Sequence, residues 1–319
     1  MTVAGHSSHG HSSHGHSSHG RSSQGHSSRL TSPQLEMPGM PRRLFSATPS
    51  KLASFADCPR RYRYAYVDRP TPAKGPAWAH NTVGAAVHAA LRSWWDLPVE
   101  KRTTAAARQL LYAAWSQNGF RDAEQAERWR ARAAGWLTDY VPTLDPTDEP
   151  VGNERTVGAT TERLALSGRV DRIDQRGDEL VVVDYKTGRT PPTDDDARGS
   201  PALAAYVLGV RRTLRRPCTR VELHHLPSGT VAAFEHTERS LANHVRRAED
   251  IAVDITAATE AMAAGEDPDA AFPAVPGVQC SWCDFRPSCP TGQAAVPARE
   301  TWGFLAEEEA VPSSRKTDR

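Results

Sequence analysis

Gly168-Arg169-Val170-Asp171-Arg172-Ile173-Asp174, followed after a short gap by Leu180-Val181-Val182-Val183-Asp184-Tyr185-Lys186-Thr187-Gly188, is the stretch that decides the fold. Both segments are rich in β-branched residues and alternate, and Gln175-Arg176-Gly177-Asp178 between them is good turn chemistry, so they read as a hairpin. If that hairpin is symmetric about Arg176 and Gly177, Asp171 lies opposite Val182 and Arg169 opposite Asp184. Alternation then puts Asp171, Val182, Asp184 and Lys186 on one face, with the two acids diagonal and roughly 7 to 8 Å apart at the backbone. Two carboxylates sharing a face repel unless a positive charge lies between them, and a hard ion such as Mg²⁺ takes oxygen ligands at about 2.1 Å. Lys186 adds a second positive group, able to orient a water or neutralise a phosphorane transition state. Val181 and Val183 predict burial of the opposite face, which leaves the acids toward solvent or a cleft. The same spacing also fits two solvated acids on an exposed hairpin.

Outward from the hairpin, the pattern predicts an α/β protein with a helical N-terminal portion. From Ser50 to about Tyr140 apolar residues recur at helical spacing, as in Val83, Val87 and Leu91. A helix is expected over about Pro201 to Leu214, strands over Val221 to Leu226 and Val231 to Phe234, and a long helix over Ser240 to Ala264. Residues 1–45 open with a repeating Gly-His-Ser-Ser-His pattern and read as a disordered tail. Residues 293–319 turn polar and read as a flexible C-terminal tail.

The 319 residues carry 39 Lys+Arg against 38 Asp+Glu, so no whole-chain field argues for a polyanionic partner, although local basic patches remain open. No apolar run approaches the roughly 18 residues of a membrane span. Five cysteines are too sparse for a disulfide-stapled secreted scaffold, and no signal peptide is visible, so a reducing, cytoplasmic location is expected.

The paired segments resemble the active-site motifs of RecB-family PD-(D/E)XK nucleases. The resemblance implies a mixed central sheet flanked by helices. It also implies that Asp171, Asp184 and Lys186 are catalytic, and that Asp171, Asp184, the Tyr185 carbonyl and an upstream histidine hold Mg²⁺ or Mn²⁺. Val83-Gly84-Ala85-Ala86-Val87-His88-Ala89-Ala90-Leu91 is similar to the family's histidine helix, which makes His88 that ligand. Gly84, one turn earlier on the same helical face, is expected to leave space beside the imidazole. The family's Gln-x-x-x-Tyr helix is matched at Tyr206, whereas Ala202 stands at the Gln position.

Cys280-Ser281-Trp282-Cys283 and Cys289 give C-x₂-C-x₅-C spacing, and Cys58 stands far upstream. Spacing alone favours a structural zinc site, with an iron–sulfur cluster as the alternative that also takes four cysteines. One cysteine before the nuclease core and three after it is similar to the arrangement in helicase–nuclease and CRISPR-adaptation members, which implies a [4Fe–4S] cluster on Cys58, Cys280, Cys283 and Cys289. Such a clamp joins the two ends of a domain expected over 46–292, across a loop costly to close in the unfolded chain. Cys218 has no partner spacing and reads as an ordinary thiol.

Arg60, Arg61 and Arg63 interleave with Tyr62, Tyr64 and Tyr66, a combination suited to single-stranded DNA because guanidinium groups hold phosphates and rings stack on bases. Arg211, Arg212, Arg215 and Arg216 form a second basic cluster. The reading that follows is a metal-dependent DNA nuclease, a single-strand exonuclease of repair or recombination with an unidentified helicase or repair partner. Its competitors are a CRISPR-adaptation nuclease and a non-catalytic DNA-binding protein of the same fold.

Overall fold

The computed structural model describes residues 44–306. In chain order the elements are β1 (Phe45–Ala47), α1 (Pro49–Asp57), α2 (Pro59–Tyr66), α3 (Ala79–Trp95), α4 (Thr104–Ala114), α5 (Ala123–Tyr140), β2 (Gly152–Thr160), β3 (Leu164–Arg176), β4 (Glu179–Lys186), α6 (Asp194–Gly199), α7 (Pro201–Leu214), β5 (Cys218–His225), β6 (Thr230–Glu235), α8 (Glu238–Ala263), α9 (Pro268–Ala271), α10 (Pro290–Ala295) and α11 (Gly303–Ala306). The expected α/β architecture is present, with helices on both faces of one mixed sheet.

The long strand β3 organises that sheet. One flank pairs antiparallel with β2. The other flank is shared: β1 runs parallel to its start at Leu164 to Leu166, and β4 pairs antiparallel with its end at Arg172 to Arg176. From β4 the sheet continues through parallel β5 to antiparallel β6.

Helix faces follow from apolar spacing. On α3, Val83, Val87, Ala90, Leu91 and Trp94 recur every three or four residues and are buried against Val181, Val183 and Tyr185 of β4. On α7, Leu203, Ala204, Val207 and Val210 cover Leu180 and Val182 from the other side. Both faces of β4 are therefore core over most of its length. The acid-bearing face of β4 is covered at Leu180 and Val182 and opens at Asp184 and Lys186, whose side chains keep 16% and 46% of their exposure.

The hairpin turn also differs from expectation. It is the two-residue Gly177-Asp178, with Arg176 level with Glu179 and Arg172 level with Val183. Gly177 takes φ +60, a conformation glycine adopts without a Cβ penalty, and this centres the turn between residues 177 and 178. The register shifts by two, so the same residues keep the same face. Asp171 becomes level with Asp184 instead of Val182.

The tail assignments need adjustment. The His/Ser/Gly-rich stretch 1–45 falls outside the described residues except for Leu44 and Phe45, and Phe45 opens β1. Residues 293–306 are packed structure. The backbone N–H of Ala79 donates to the Thr301 carbonyl at 3.1 Å, the Thr301 hydroxyl donates to the Gly119 carbonyl at 2.8 Å, and Leu305 is buried in the α3 core. Among the described residues, no helix is long and apolar enough to cross a membrane.

Candidate active site

The β3–β4 ladder stops at Arg172 and Val183, and the next residue on each strand is an acid, Asp171 and Asp184. Strand β4 stays paired with β5 as far as Lys186 and His225, so it is β3 that peels away and opens a fork. The Tyr185 N–H, with no ladder partner on that side, donates to Asp171 Oδ2 at 2.9 Å. His88 reaches into the fork from α3. Its Nε2 is 3.1 Å from the Tyr185 carbonyl oxygen and its Nδ1 is 3.3 Å from Asp171 Oδ2. Lys186 Nζ contacts Asp184 Oδ2 at 2.6 Å. The fork thus gathers His88, Asp171, Asp184, Lys186 and the Tyr185 carbonyl.

Gly84 allows this approach of α3, because a Cβ there would be 3.2 Å from the Thr187 hydroxyl at the end of β4. The space it leaves is taken by the chain just beyond β4. Behind the fork, Arg172 is buried, donates to the Tyr185 hydroxyl at 3.0 Å and pairs with Asp174 at 2.7 Å. Tyr185 is therefore held at its ring as well as at its peptide.

Charge at the fork is unbalanced toward the negative. Burial raises the Asp184 pKa; Lys186 opposes this and Asp171 adds to it, and the net result is upward. Burial works against protonation of His88, but its hydrogen bond to Asp171 and the charges of Asp171, Asp184 and Glu154 outweigh this and raise its pKa. An imidazole placed between a carboxylate and a carbonyl can donate from both nitrogens only when protonated. These neighbours favour the charged imidazolium over the neutral ring. Hard carboxylate and carbonyl oxygens with one imidazole nitrogen form a donor set that suits Mg²⁺ and Mn²⁺.

Two neighbours complete the cleft. Tyr206 of α7 packs over Gly168, where a Cβ would sit 2.5 Å from the ring carbon Cε1. Its hydroxyl pKa is pushed up to about 12 by burial and then by the charges of Asp184 and Asp171, which places it beside the acids. Ala202, one turn earlier on α7, brings no polar group. Glu154 of β2 was not among the sequence candidates. One ligand atom each from His88, Glu154 and Asp171 lie within 4.8 Å of one another, the only such group of three among the described residues. Burial, then the charge of Asp171, raises its pKa. No motif marks Glu154, because its place depends on the β2–β3 register, and Thr161 and Glu162 between those strands carry no turn signal.

Cys58, Cys280, Cys283 and Cys289 line one cavity of ≈ 90 Å³, with no disulfide among them. Cys58 is at the elbow between α1 and α2, and the other three lie between α9 and α10. The Val275 and Gly292 N–H groups point at the Cys58 and Cys289 sulfurs, at 3.5 and 3.3 Å. A Cβ on Gly292 would lie in ordinary contact with the Cys289 and Cys280 sulfurs, at 3.4 and 3.6 Å. No three of the four sulfurs lie within 4.8 Å of one another. Cys218 is fully buried, and burial pushes its thiol up to about 12, as expected of an inert packed cysteine.

The expected DNA-binding patch on α2 is largely internal, and this is a correction. Arg60 is 8% exposed, donates to the Thr291 hydroxyl at 3.1 Å and pairs with Asp269 at 3.0 Å. Arg63 pairs with Asp68 and with the same Asp269. Tyr62 is buried between Phe55 and Phe272. These side chains fasten α2 to the C-terminal segment. Arg61, paired with Asp57 at 3.5 Å, remains half-exposed beside the cysteine cavity. In the second cluster Arg211 is tied to the Cys218 carbonyl and to Glu238, and Arg216 to Gln175.

A mixed sheet whose fork presents Asp171 with an acid-x-Lys tripeptide is a nuclease-type core. Residues 46–290 match the PD-(D/E)XK nuclease superfamily, and the chain belongs to it. No curated protein matches the chain. Among solved structures, a Eubacterium rectale protein carrying a provisional exonuclease designation is similar at 10% identity and a TM-score of 0.42, over 69% of this chain and 82% of that one.

Proposed function

We propose that this protein is a divalent-metal-dependent DNA nuclease, a single-strand exonuclease of the RecB type acting in repair or recombination in the cytoplasm. The observation that carries the reading is the fork itself: His88 reaches both Asp171 and the Tyr185 carbonyl, and Asp184, paired with Lys186, stands beside Asp171 at its mouth. Asp171, Asp184, His88 and the Tyr185 carbonyl would hold Mg²⁺ or Mn²⁺, which supplies a more acidic water and charge neutralisation at the scissile phosphate. Lys186, paired with Asp184, orients the attacking water and offsets charge as it builds on the phosphorus. The water oxygen forms a bond to phosphorus as the bond to the 3′ oxygen breaks, leaving a 3′ alcohol and a 5′ phosphate. Asp171, fixed by the Tyr185 N–H, keeps the donor set in register. Tyr206 and Arg61 are the remaining candidates for contact with DNA, and an aromatic ring near the reacting phosphate suits an unpaired base.

The imidazole in the donor set is softer than oxygen, so Mn²⁺ supports cleavage at least as well as Mg²⁺. Labelled single-stranded and duplex DNA, incubated with each ion, test the reading. Loss of cleavage in Asp184→Ala with DNA binding retained supports it; cleavage that survives in that variant overturns it.

The four cysteines take a [4Fe–4S] cluster in this reading. Support comes from the spread of the sulfurs, no three of which lie within 4.8 Å of one another: a single zinc ion with bonds of about 2.3 Å draws its sulfurs close together, whereas a cluster spreads them. Iron analysis and visible absorbance of the purified protein separate the two metals.

A further inference from the structure

Glu154 carries two features that an ordinary strand acid does not need. Asn153 is level with Arg172 and Arg155 with Val170, so Glu154 stands level with Asp171 on the flank of β3 away from β4. Its backbone has φ 47, a left-handed conformation that a non-glycine residue in a strand adopts only when its surroundings impose it. Its side chain is only 11% exposed, and its one ion pair is with Arg169 at 2.7 Å, a side chain that is itself 68% exposed. A pair with so exposed a partner is no reason to strain the strand. The twist instead brings the carboxylate to His88 and Asp171, with the three ligand atoms within 4.8 Å of one another and each supplied by a different element. Asp184, held by its own lysine, is not in that group.

On the metal-dependent reading above, we propose that Glu154 is a ligand of the divalent ion, forming with His88 and Asp171 a cage drawn from α3, β2 and β3 that Asp184 closes from β4. The ion takes over the charge that Arg169 now supplies to Glu154. The ligand class is a hard divalent cation, because two carboxylates and one imidazole form a mostly oxygen donor set.

The test is the melting temperature of the full chain as MnCl₂ is added, for the wild type, Glu154→Gly and Glu154→Asn. Ligand bound to the folded state raises the melting temperature by mass action, so this readout does not depend on turnover. Glycine and asparagine both tolerate the left-handed backbone, so these variants should melt at or above the wild type without metal. Every chain keeps its N-terminal histidines, and the difference between chains reports Glu154 alone. The expected result is a stabilisation midpoint at least about tenfold higher in MnCl₂ for both variants. A wild type that is stabilised and cleaves DNA, with both variants responding at the same concentration, overturns the role of Glu154 and leaves the nuclease reading standing. A wild type that is neither stabilised nor active overturns the metal-dependent reading and this ligand with it.

Discussion

Asp171 and Asp184 are the first residues beyond the last rung of the β3–β4 ladder, so the two acids stand at the mouth of a fork between diverging strands. In a continuous antiparallel ladder the backbone groups of Tyr185 would be spent on β3. Here its N–H fixes Asp171 and its carbonyl faces His88. The end of pairing turns a stretch of ordinary sheet into a cluster of oxygen donors, and it does so where α7 no longer covers β4.

Among the described residues, Lys186 is the cation in ion-pair contact with Asp184, whose carboxyl is raised by burial. Lys186→Met removes that counter-charge and the group that orients water. The expected outcome is a loss of kcat on the order of 10²–10⁴-fold with the fold retained, since the side chain is half-exposed. Single-turnover cleavage measured beside a thermal melt checks it. Activity within a few-fold of wild type would remove Lys186 from the mechanism.

Gly168 owes its identity to Tyr206. A Cβ at residue 168 would lie 2.5 Å from the tyrosine ring, and Pro49 is also near, at 3.7 Å. Gly168→Ala is expected to push Tyr206 and the start of α7 off the cleft at a cost of about 1–3 kcal/mol. Denaturant unfolding measures that cost. If Tyr206 helps bind DNA, weakened DNA binding in this variant should match that of Tyr206→Ala.

Much of this was legible in the sequence because the elements are strongly periodic. The heptad-like apolar spacing of α3 and the alternation of β4 survive any small error in their ends. The hairpin turn was misplaced by one residue, since Arg176-Gly177 and Gly177-Asp178 are both acceptable turns. The acids kept their shared face because the register moved by two. What could not be read depends on tertiary context. Arg60 and Tyr62 look like a nucleic-acid patch until Asp269 and Phe272, some two hundred residues away, are folded onto them. Glu154 belongs to the fork only through a β2 register that no turn residue announces. Residues 293–306 are polar enough to read as a tail, yet Leu305 and Thr301 anchor them to the helical layer.

Cys283→Ser tests the clamp. Four thiols line one cavity between α2 and the segment from α9 to α10, and Arg60 and Arg63 join the same two parts through Asp269. Loss of one ligand is expected to abolish brown colour and iron content and to lower the melting temperature, because a bound metal centre contributes directly to folding free energy. Cys218→Ser, altering a buried thiol remote from the cavity, should leave iron content unchanged. Equal iron in wild type and Cys283→Ser, or zinc in place of iron, would sink the cluster assignment.

Acid should destabilise this protein in two steps, the first through His236. Burial, then the charges of His244 and Arg211, push its pKa down to about 4, against an ordinary value of about 6.5. The folded state therefore binds fewer protons than the unfolded chain between those values. The stability from a neutral His236 is complete above about pH 6.5 and is lost as pH falls toward 4. Glu222 follows with the same sign. Burial alone would raise its carboxyl, but hydrogen bonds from His224, Arg176 and Arg220 hold it far below the usual range. Its contribution is present above about pH 4.3 and is lost at lower pH. From pH 7.5 to 4.5 the His236 contribution lowers the melting temperature, by about 2–4 °C for each kcal/mol lost, while the raised pKa values of His88, Asp184 and Glu154 act with the opposite sign. His236→Gln, which cannot take up the proton, should show a flatter curve over that range. An identical slope in both proteins would assign the acid sensitivity to other groups.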